Sequence, residues 1–523
     1  QLAAITAADG DSLIFGYTGS QLTSLTIQEV PPGGSTPVTR QQVSYHYDSQ
    51  GRLDVVTTAL GSDTDATPAS YTTTYTYDGT SDRVASVSQS DGTVVSYTYA
   101  AQTDGSWRLA TITTGSGAAA QAIALSYDLD GRTTTVTNAL GQATTYQYDD
   151  AGHLIQVMAP TVNGQTPTTS YQYDTDGNLL RLTDADGGIT SYQYDSHGNL
   201  LGVEDPTGHT IRYTYNSLGR IVSQTVYVTP AQGVMGQPGY VAPTDGQTTY
   251  YVYYDATDGN RLAAVIDPLG HVTGYTYTGL PDGRAVLSST QHGLVATFDL
   301  TGASPDAPPT LAQWQAWVTS ASFEASLGQS TRTDYTYDVR GQLATQTEWA
   351  TVDSTGAGVL DAGTVVSTFV YDVRGQLLQS ATERGAGHAT PEITSYAYDG
   401  LGRLISRTDP LNQATSYVYT DSNGTLAIVQ ANGLTTTQAY DSAGRLLSST
   451  QSASGQTSRV TTYLYDAAGR QVATIDPAGN ASYTFYDADG RVAGTVDATG
   501  AVSSITYDTA GHVIGTTQYA TAI

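Results

Sequence analysis

The sequence predicts an all-β protein, one long antiparallel ribbon of repeated β-hairpins. Three observations carry this reading. A Tyr-Asp-x-x-Gly turn recurs with a period of about 21 residues, most cleanly at Tyr465, Tyr486 and Tyr507. The 523 residues include 39 Tyr and 55 Gly, with abundant Thr and Val, a composition suited to strands joined by tight turns. Helical periodicity shows in one short segment.

One unit justifies the hairpin. The turn Tyr465-Asp466-Ala467-Ala468-Gly469 leads into Gln471 to Ile475, and the turn Asp476-Pro477-Ala478-Gly479 leads into Ala481 to Phe485. Asp bonds its own backbone ahead, Pro presets φ, and Gly takes the positive φ that such turns need. Two short strands and two turns make a hairpin that buries no face alone, so successive hairpins must pair edge to edge.

Taken in order, residues 1–46 hold degenerate strands, Ser12 to Tyr17 and Leu22 to Gln28, and a loop at Pro31 to Pro37. Residues 47–279 read as a first run of ribbon, with turns at Tyr47, Tyr77, Tyr127, Tyr148, Tyr173, Tyr194 and Tyr215. The long gap from Tyr215 to Tyr254 is filled by loop formers (Gly233, Gly236, Pro238, Gly239, Pro243), and an insertion on a hairpin end leaves the ladder intact. Residues 280–334 are an insertion in which Pro308 and Pro309 open a short helix whose Leu311, Trp314 and Val318 share one face and are expected to pack on the sheet. Residues 335–523 resume the ribbon at Tyr337, Tyr371 and Tyr398, pass a divergent unit at Tyr419-Thr420, and continue through Tyr440. The whole is read as one continuous repeat domain. It begins and ends within repeat-like sequence, as a piece of a longer protein would.

Composition removes several function classes. With 48 acidic against 20 basic residues and a net charge of −28, the chain lacks the footprint of a nucleic-acid binder. Every basic residue is Arg, so a Lys-bearing phosphate loop is impossible, and no Cys is present to form disulfides or thiolate metal sites. No apolar run is long enough to span a membrane. His46, His153, His197, His209, His271, His292, His388 and His512 are scattered without zinc-ligand spacing. Asp-x-Asp-Gly at Asp128 to Gly131, Asp174 to Gly177, Asp184 to Gly187 and Asp487 to Gly490 offers too few oxygens for a calcium loop and reads as turn chemistry. No catalytic residue, cofactor site or metal site is expected, and the chain is read as a non-enzyme. The Arg that follows the turn Gly (Arg52, Arg132, Arg220, Arg403, Arg445, Arg470, Arg491) is expected to pair with a neighbouring unit's Asp. Tyr-x-Tyr strands (Tyr192/Tyr194, Tyr213/Tyr215, Tyr396/Tyr398) are expected to align their rings into tyrosine ladders.

The Tyr-Asp-x-x-Gly-Arg pattern, with its second Asp-Pro-x-Gly turn, resembles the YD-repeat or Rhs family of bacterial polymorphic toxins, insecticidal toxin-complex components and teneurins. The resemblance implies a ribbon spiralling into a hollow shell or barrel-like tube. It further implies a structural role in a large secreted or cell-surface protein, with an enclosed toxin domain or other segments of the parent chain as partners. A glycan-binding adhesin or an extracellular fibre is the alternative. Asp267-Pro268-Leu269-Gly270 copies the start of the self-cleaving segment of toxin shells but continues without its Asn, so it is read as an ordinary turn.

Overall fold

The computed structural model describes residues 1–6, 11–30, 36–60, 69–117, 120–161, 164–255, 259–280, 284–292, 296–338, 340–385, 390–487, 490–508 and 511–519. His388, Pro31 and the Ala488-Asp489 step of the last Asp-x-Asp-Gly lie outside them. Among the described residues there are 39 strands, two short α-helices and two 3-10 turns, and the strands pair antiparallel, hairpin after hairpin. The chain divides into two compact units, Gln1–Thr168 with Ser395–Ile523, and Thr169–Thr394.

The hairpin unit follows from its turns. Strand Arg459–Tyr465 pairs with Gln471–Ile475, which pairs with Ala481–Tyr486. At the turn tyrosine the ladder slips: Leu464 faces Ala473, but Tyr465 faces Gln471. The same bulge recurs at Tyr47, Tyr194, Tyr253, Tyr371 and Tyr507, where it increases local twist and aims the tyrosine. Because paired residues share a face, each sheet has a tyrosine face and an opposite face defined by the residue between the two tyrosines; the latter is called the intervening face below.

In the first unit most strand residues are half-buried, others such as Leu464 and Phe485 are exposed, and few apolar residues are enclosed. Strand neighbours and turns, rather than a shared core, therefore hold most residues.

The second unit differs. Its intervening face carries the rows Val252↔Ala264↔Gly274 and Tyr250↔Ile266↔Val272, on which Phe298 and Trp314 close a buried cluster. Ala263, Ala264 and Ile266 are 0% exposed. The covering layer comes from the insertion. Helix α1 (Leu311–Val318) starts at Thr310, whose side chain and that of Gln313 form a reciprocal capping box, so the prolines precede the cap and lie outside the helix. Helix α2 (Ala321–Ser326), which periodicity did not announce, is capped by the Ser320 hydroxyl accepting from the Phe323 N–H. Trp317 stacks on Trp314 at 5.4 Å and meets Phe323 edge-on at 4.8 Å. A second insertion, around the Gln232↔Val241 bridge, lays Met235 on Gly202, and its backbone N–H donates to the buried Glu204 carboxylate at 2.6 Å.

Candidate functional site

The repeated turn is the densest site in the chain. In Asp466 to Arg470, the Asp466 Oδ1 accepts from the backbone N–H of Ala468 at 2.9 Å and of Arg470 at 3.0 Å, while Oδ2 accepts from the Arg470 Nε at 2.8 Å. The Gly469 N–H donates to the Asp466 carbonyl at 3.0 Å, with Gly469 at φ 80°. Asp476 repeats the scheme at the other hairpin end, accepting from Ala478 and Asn480, so both turns of the unit are one structure. The fifth residue chooses the partner of the second carboxylate oxygen: Arg at Asp399, Asp441 and Asp487, His at Asp149 and Asp267, Asn at Asp174 and Asp195.

Two expectations are corrected by this geometry. The arginines pair mainly with the aspartate of their own turn, as in Arg52–Asp48, Arg445–Asp441 and Arg491–Asp487. A fork that reaches its own Asp Oδ2 while the backbone is already held loses less side-chain freedom than one reaching the next unit. Arg132 does reach across, to Asp150, because there the positive φ falls on Arg132 (51°) rather than on Gly131. Arg403 does both, binding Asp399 and Asp421.

The tyrosines are held by arginine and by backbone more than by each other. Arg470 lies 4.4 Å over the Tyr486 ring and Arg491 4.6 Å over Tyr507. The Tyr486 hydroxyl donates to the Gln471 carbonyl and that of Tyr507 to the Val492 carbonyl, each the residue after the covering arginine. Arg52 over Tyr77 and Arg403 over Tyr419 follow the same rule. A tyrosine–tyrosine contact is seen at Tyr254 and Tyr277, 6.3 Å apart and edge-on. Each of these arginine-bearing turns thus clamps the next unit's ring, a cation–π contact worth about 0.5–1 kcal/mol where exposed.

Burial works against the Asp466 and Asp441 carboxylates, yet the N–H donors and the guanidinium of Arg470 and Arg445 bring both below the ordinary value. Asp174 is likewise lowered, first by the Asn178 amide, and its partner Asp176 stays exposed, so this Asp-x-Asp-Gly spends its first carboxylate on the turn backbone. The Asp184 Oδ1 accepts from the backbone N–H groups of Asp186 and Gly188.

Sequence reasoning did not find the seam inside the first unit. Tyr71, near the start of strand Ser70–Tyr77, donates to Asp91 Oδ2 at 2.8 Å, and Arg403 lies over its ring at 5.7 Å. Burial, then the Asp91 hydrogen bond, pushes the Tyr71 phenol far up. Nearby, Gln41 donates to the Gly400 carbonyl and Val94 N–H to the Ser442 carbonyl. A cavity of about 300 Å³ there is lined by Asp91, Arg403, Tyr419, Asp421, Tyr440 and Asp441. The Gln41–Gly400, Val94–Ser442 and Tyr71–Arg403 contacts join residues more than 300 positions apart. Chemically the arrangement is a set of structural hydrogen bonds: Asp91 accepts from the Thr93 N–H and the Tyr71 hydroxyl, Asp421 accepts from Arg403, and the Tyr419 hydroxyl donates to the Leu404 carbonyl.

Comparisons agree with this picture. The RHS Repeat model matches residues 127–159, 173–208, 194–231 and 452–481, and the Teneurin YD-shell model matches residues 325–454. No curated protein matches the chain. Among solved structures, the TcdB2-TccC3-Cdc42 crystal structure is similar over 92% of this chain at 15% identity and a TM-score of 0.54. A Photorhabdus luminescens Tc holotoxin pore is similar over 96% at 14% identity, also with a TM-score of 0.54. At these identities the likeness is one of fold. The chain spans 27% of the length of each of those two chains.

Proposed function

Because this chain belongs to the YD-repeat, or Rhs, family, we propose that it is a non-enzymatic wall segment of a larger secreted or surface protein, enclosing or presenting an effector region of its parent. The carrying observation is the turn clamp. A ribbon whose aspartates, arginines and tyrosines hold the next hairpin can extend as a single layer without a core, which is what a wall requires. The commitment of the turn carboxylates to backbone donors supports a structural rather than a catalytic role. No helix among the described residues is long and apolar enough to cross a membrane. The boundaries 1–46, 47–279, 280–334 and 335–523 remain our proposed division of the repeat array.

Electron microscopy of the intact parent protein tests this reading. A thin wall around a cavity holding protease-protected density is expected. A solid particle without a lumen would overturn it.

A further inference from the structure

Between strands Ile221–Val226 and Gln247–Tyr253 the chain leaves the sheet for residues 227–246 and returns over the hairpin of strands Leu200–Glu204 and Thr210–Tyr215. The Gln232↔Val241 bridge closes this segment into a strap. Of its residues only Met235 is buried, with its sulfur 3.1 Å from where a Cβ on Gly202 would stand. Among the described residues two hydrogen bonds tie residues 230–241 to the sheet. The Ala231 N–H donates to the Gly208 carbonyl at 2.7 Å, and the Met235 N–H to the Glu204 carboxylate at 2.6 Å.

The second tie ends on an acid with little to hold its charge. Glu204 is 5% exposed and stands between Ser191 and Thr210 in one row of the ladder. The buried Ser191 hydroxyl makes no hydrogen bond, and that of Thr210 donates to the Gly208 carbonyl, so neither compensates a carboxylate. The charged groups on the surrounding elements are Asp205 and His209 in the next turn, Asp184 and Asp186 in the turn before Ile189, Arg181 and Arg212 on the same face of the flanking strands, and Asp245 at the end of the strap. None forms an ion pair with Glu204 among the described residues: His209 lies 3.7 Å from Asp205, Asp245 accepts from the Thr229 N–H, and Arg212 is exposed. Burying an ion with one donor is costly, whereas burying the neutral acid is not. Burial pushes the Glu204 carboxyl above its ordinary value, against the Met235 N–H and reinforced by the Asp205 charge.

We propose that the strap is a proton-operated latch, closed over Gly202 while Glu204 carries its proton and lifting when Glu204 ionises, which bares Met235 and the row Ser191, Glu204 and Thr210. The neutral acid keeps an oxygen that accepts from the Met235 N–H, so the tie survives protonation. Closing takes up a proton. Closure is therefore complete below the ordinary carboxyl value and is lost as pH rises through the raised value of the closed form. The latch goes beyond the wall reading and is measured on this chain alone.

The two methionines of the chain, Met158 and Met235, supply the readout. The 523-residue chain is treated with dilute hydrogen peroxide between about pH 4.5 and pH 8, and the sulfoxide at each methionine is quantified by mass spectrometry. Met158, on strand Leu154–Met158, corrects for reagent and for global unfolding. Oxidation of Met235 relative to Met158 should rise at least about threefold with pH. Glu204→Gln, neutral at every pH and able to accept the same N–H, should hold the ratio low and flat, while Asp245→Asn should keep the profile of the unaltered chain. A flat or falling ratio in the unaltered chain, an unchanged profile in E204Q or a flattened one in D245N would overturn the proposal. If E204Q folds poorly its Met158 oxidation climbs as well, and the unaltered chain with D245N still decides.

Discussion

Val252, Ala264 and Gly274 in one unit and Leu464, Ala473 and Tyr483 in the other occupy the same three positions of the same repeat, yet the first set lies under a tryptophan, while in the second Leu464 and Tyr483 are 45% and 46% exposed beside a buried Ala473. The difference teaches how a repeat sheet is stabilised. Where an insertion supplies a second layer, the sheet offers a small residue, Gly274, as the seat for Trp314. Where no insertion follows, the sheet grows its own bulk, Tyr483 and Phe485, and stability passes to the turns.

Removing the covering ring should break the comparison most. Trp314→Ala is expected to cost about 3–5 kcal/mol, because a large buried ring leaves a cavity over Ala264 and Ile266. Chemical denaturation followed by hydrogen exchange should show the loss around residues 250–274, with residues 460–486 unchanged. Equal loss at both places would mean that the two units share one cooperative core.

The isoleucines sharpen the contrast. Ile266 is 0% exposed, whereas its counterpart Ile475 is only half-buried. Ile266→Ala should cost roughly 2–4 kcal/mol and Ile475→Ala no more than about half as much, since an open site gives up less contact and can relax. Matching losses in urea melts would contradict the single-layer reading of the first unit.

Turn glycines come next. At Gly469 φ is 80° and a Cβ would lie 2.6 Å from the Gln121 amide, so Gly469→Val should cost on the order of 1–3 kcal/mol. Faster exchange should stay near residues 461–491. Uniform loss of protection along the chain would reject a quasi-one-dimensional ribbon. Arg470→Ala, which removes the Asp466 pair and the cover over Tyr486, should cost about 1 kcal/mol in the same assay.

The smallest effect is the titration of one turn. The native Asp466 carboxyl titrates below its unfolded value, so its contribution is present above the ordinary carboxylate value, near 3.8, and is lost as pH falls through the lowered native one. Protection at residues 466–470, taken relative to the intrinsic exchange rate at each pH, should therefore fall as pH drops below about 4 while Ile266 stays protected. Unchanged or greater protection of the turn at low pH would show that the hydrogen bonds from Arg470 do not favour the charged form.

Much of the site was legible because it is local. Asp466 and Gly469 announce a turn four residues long in sequence, and the strands Gln471–Ile475 and Ala481–Tyr486 follow at the expected places within a residue. The direction of the arginines was not legible, because Arg470 has Asp466 four residues behind it and Asp487 seventeen ahead, and spacing does not rank the two. Nor could spacing show that the bulge at a turn tyrosine such as Tyr465 would place its ring under an arginine rather than against another tyrosine. Helix α2 was missed because six residues carry too little periodicity, though Ser320 stood as a cap signal.

The sequence by itself determined the repeat, the hairpin, the turn chemistry and the absence of thiol and lysine chemistry, since each is written in residues within a few positions of one another. Only the tertiary structure decided which rows of the sheet become a core and which stay bare, and that Tyr71, Asp91 and Arg403 would meet. Those outcomes depend on segments far apart in the chain, whose meeting is set by the accumulated twist of many hairpins and by where an insertion folds back, and a local pattern carries no record of either.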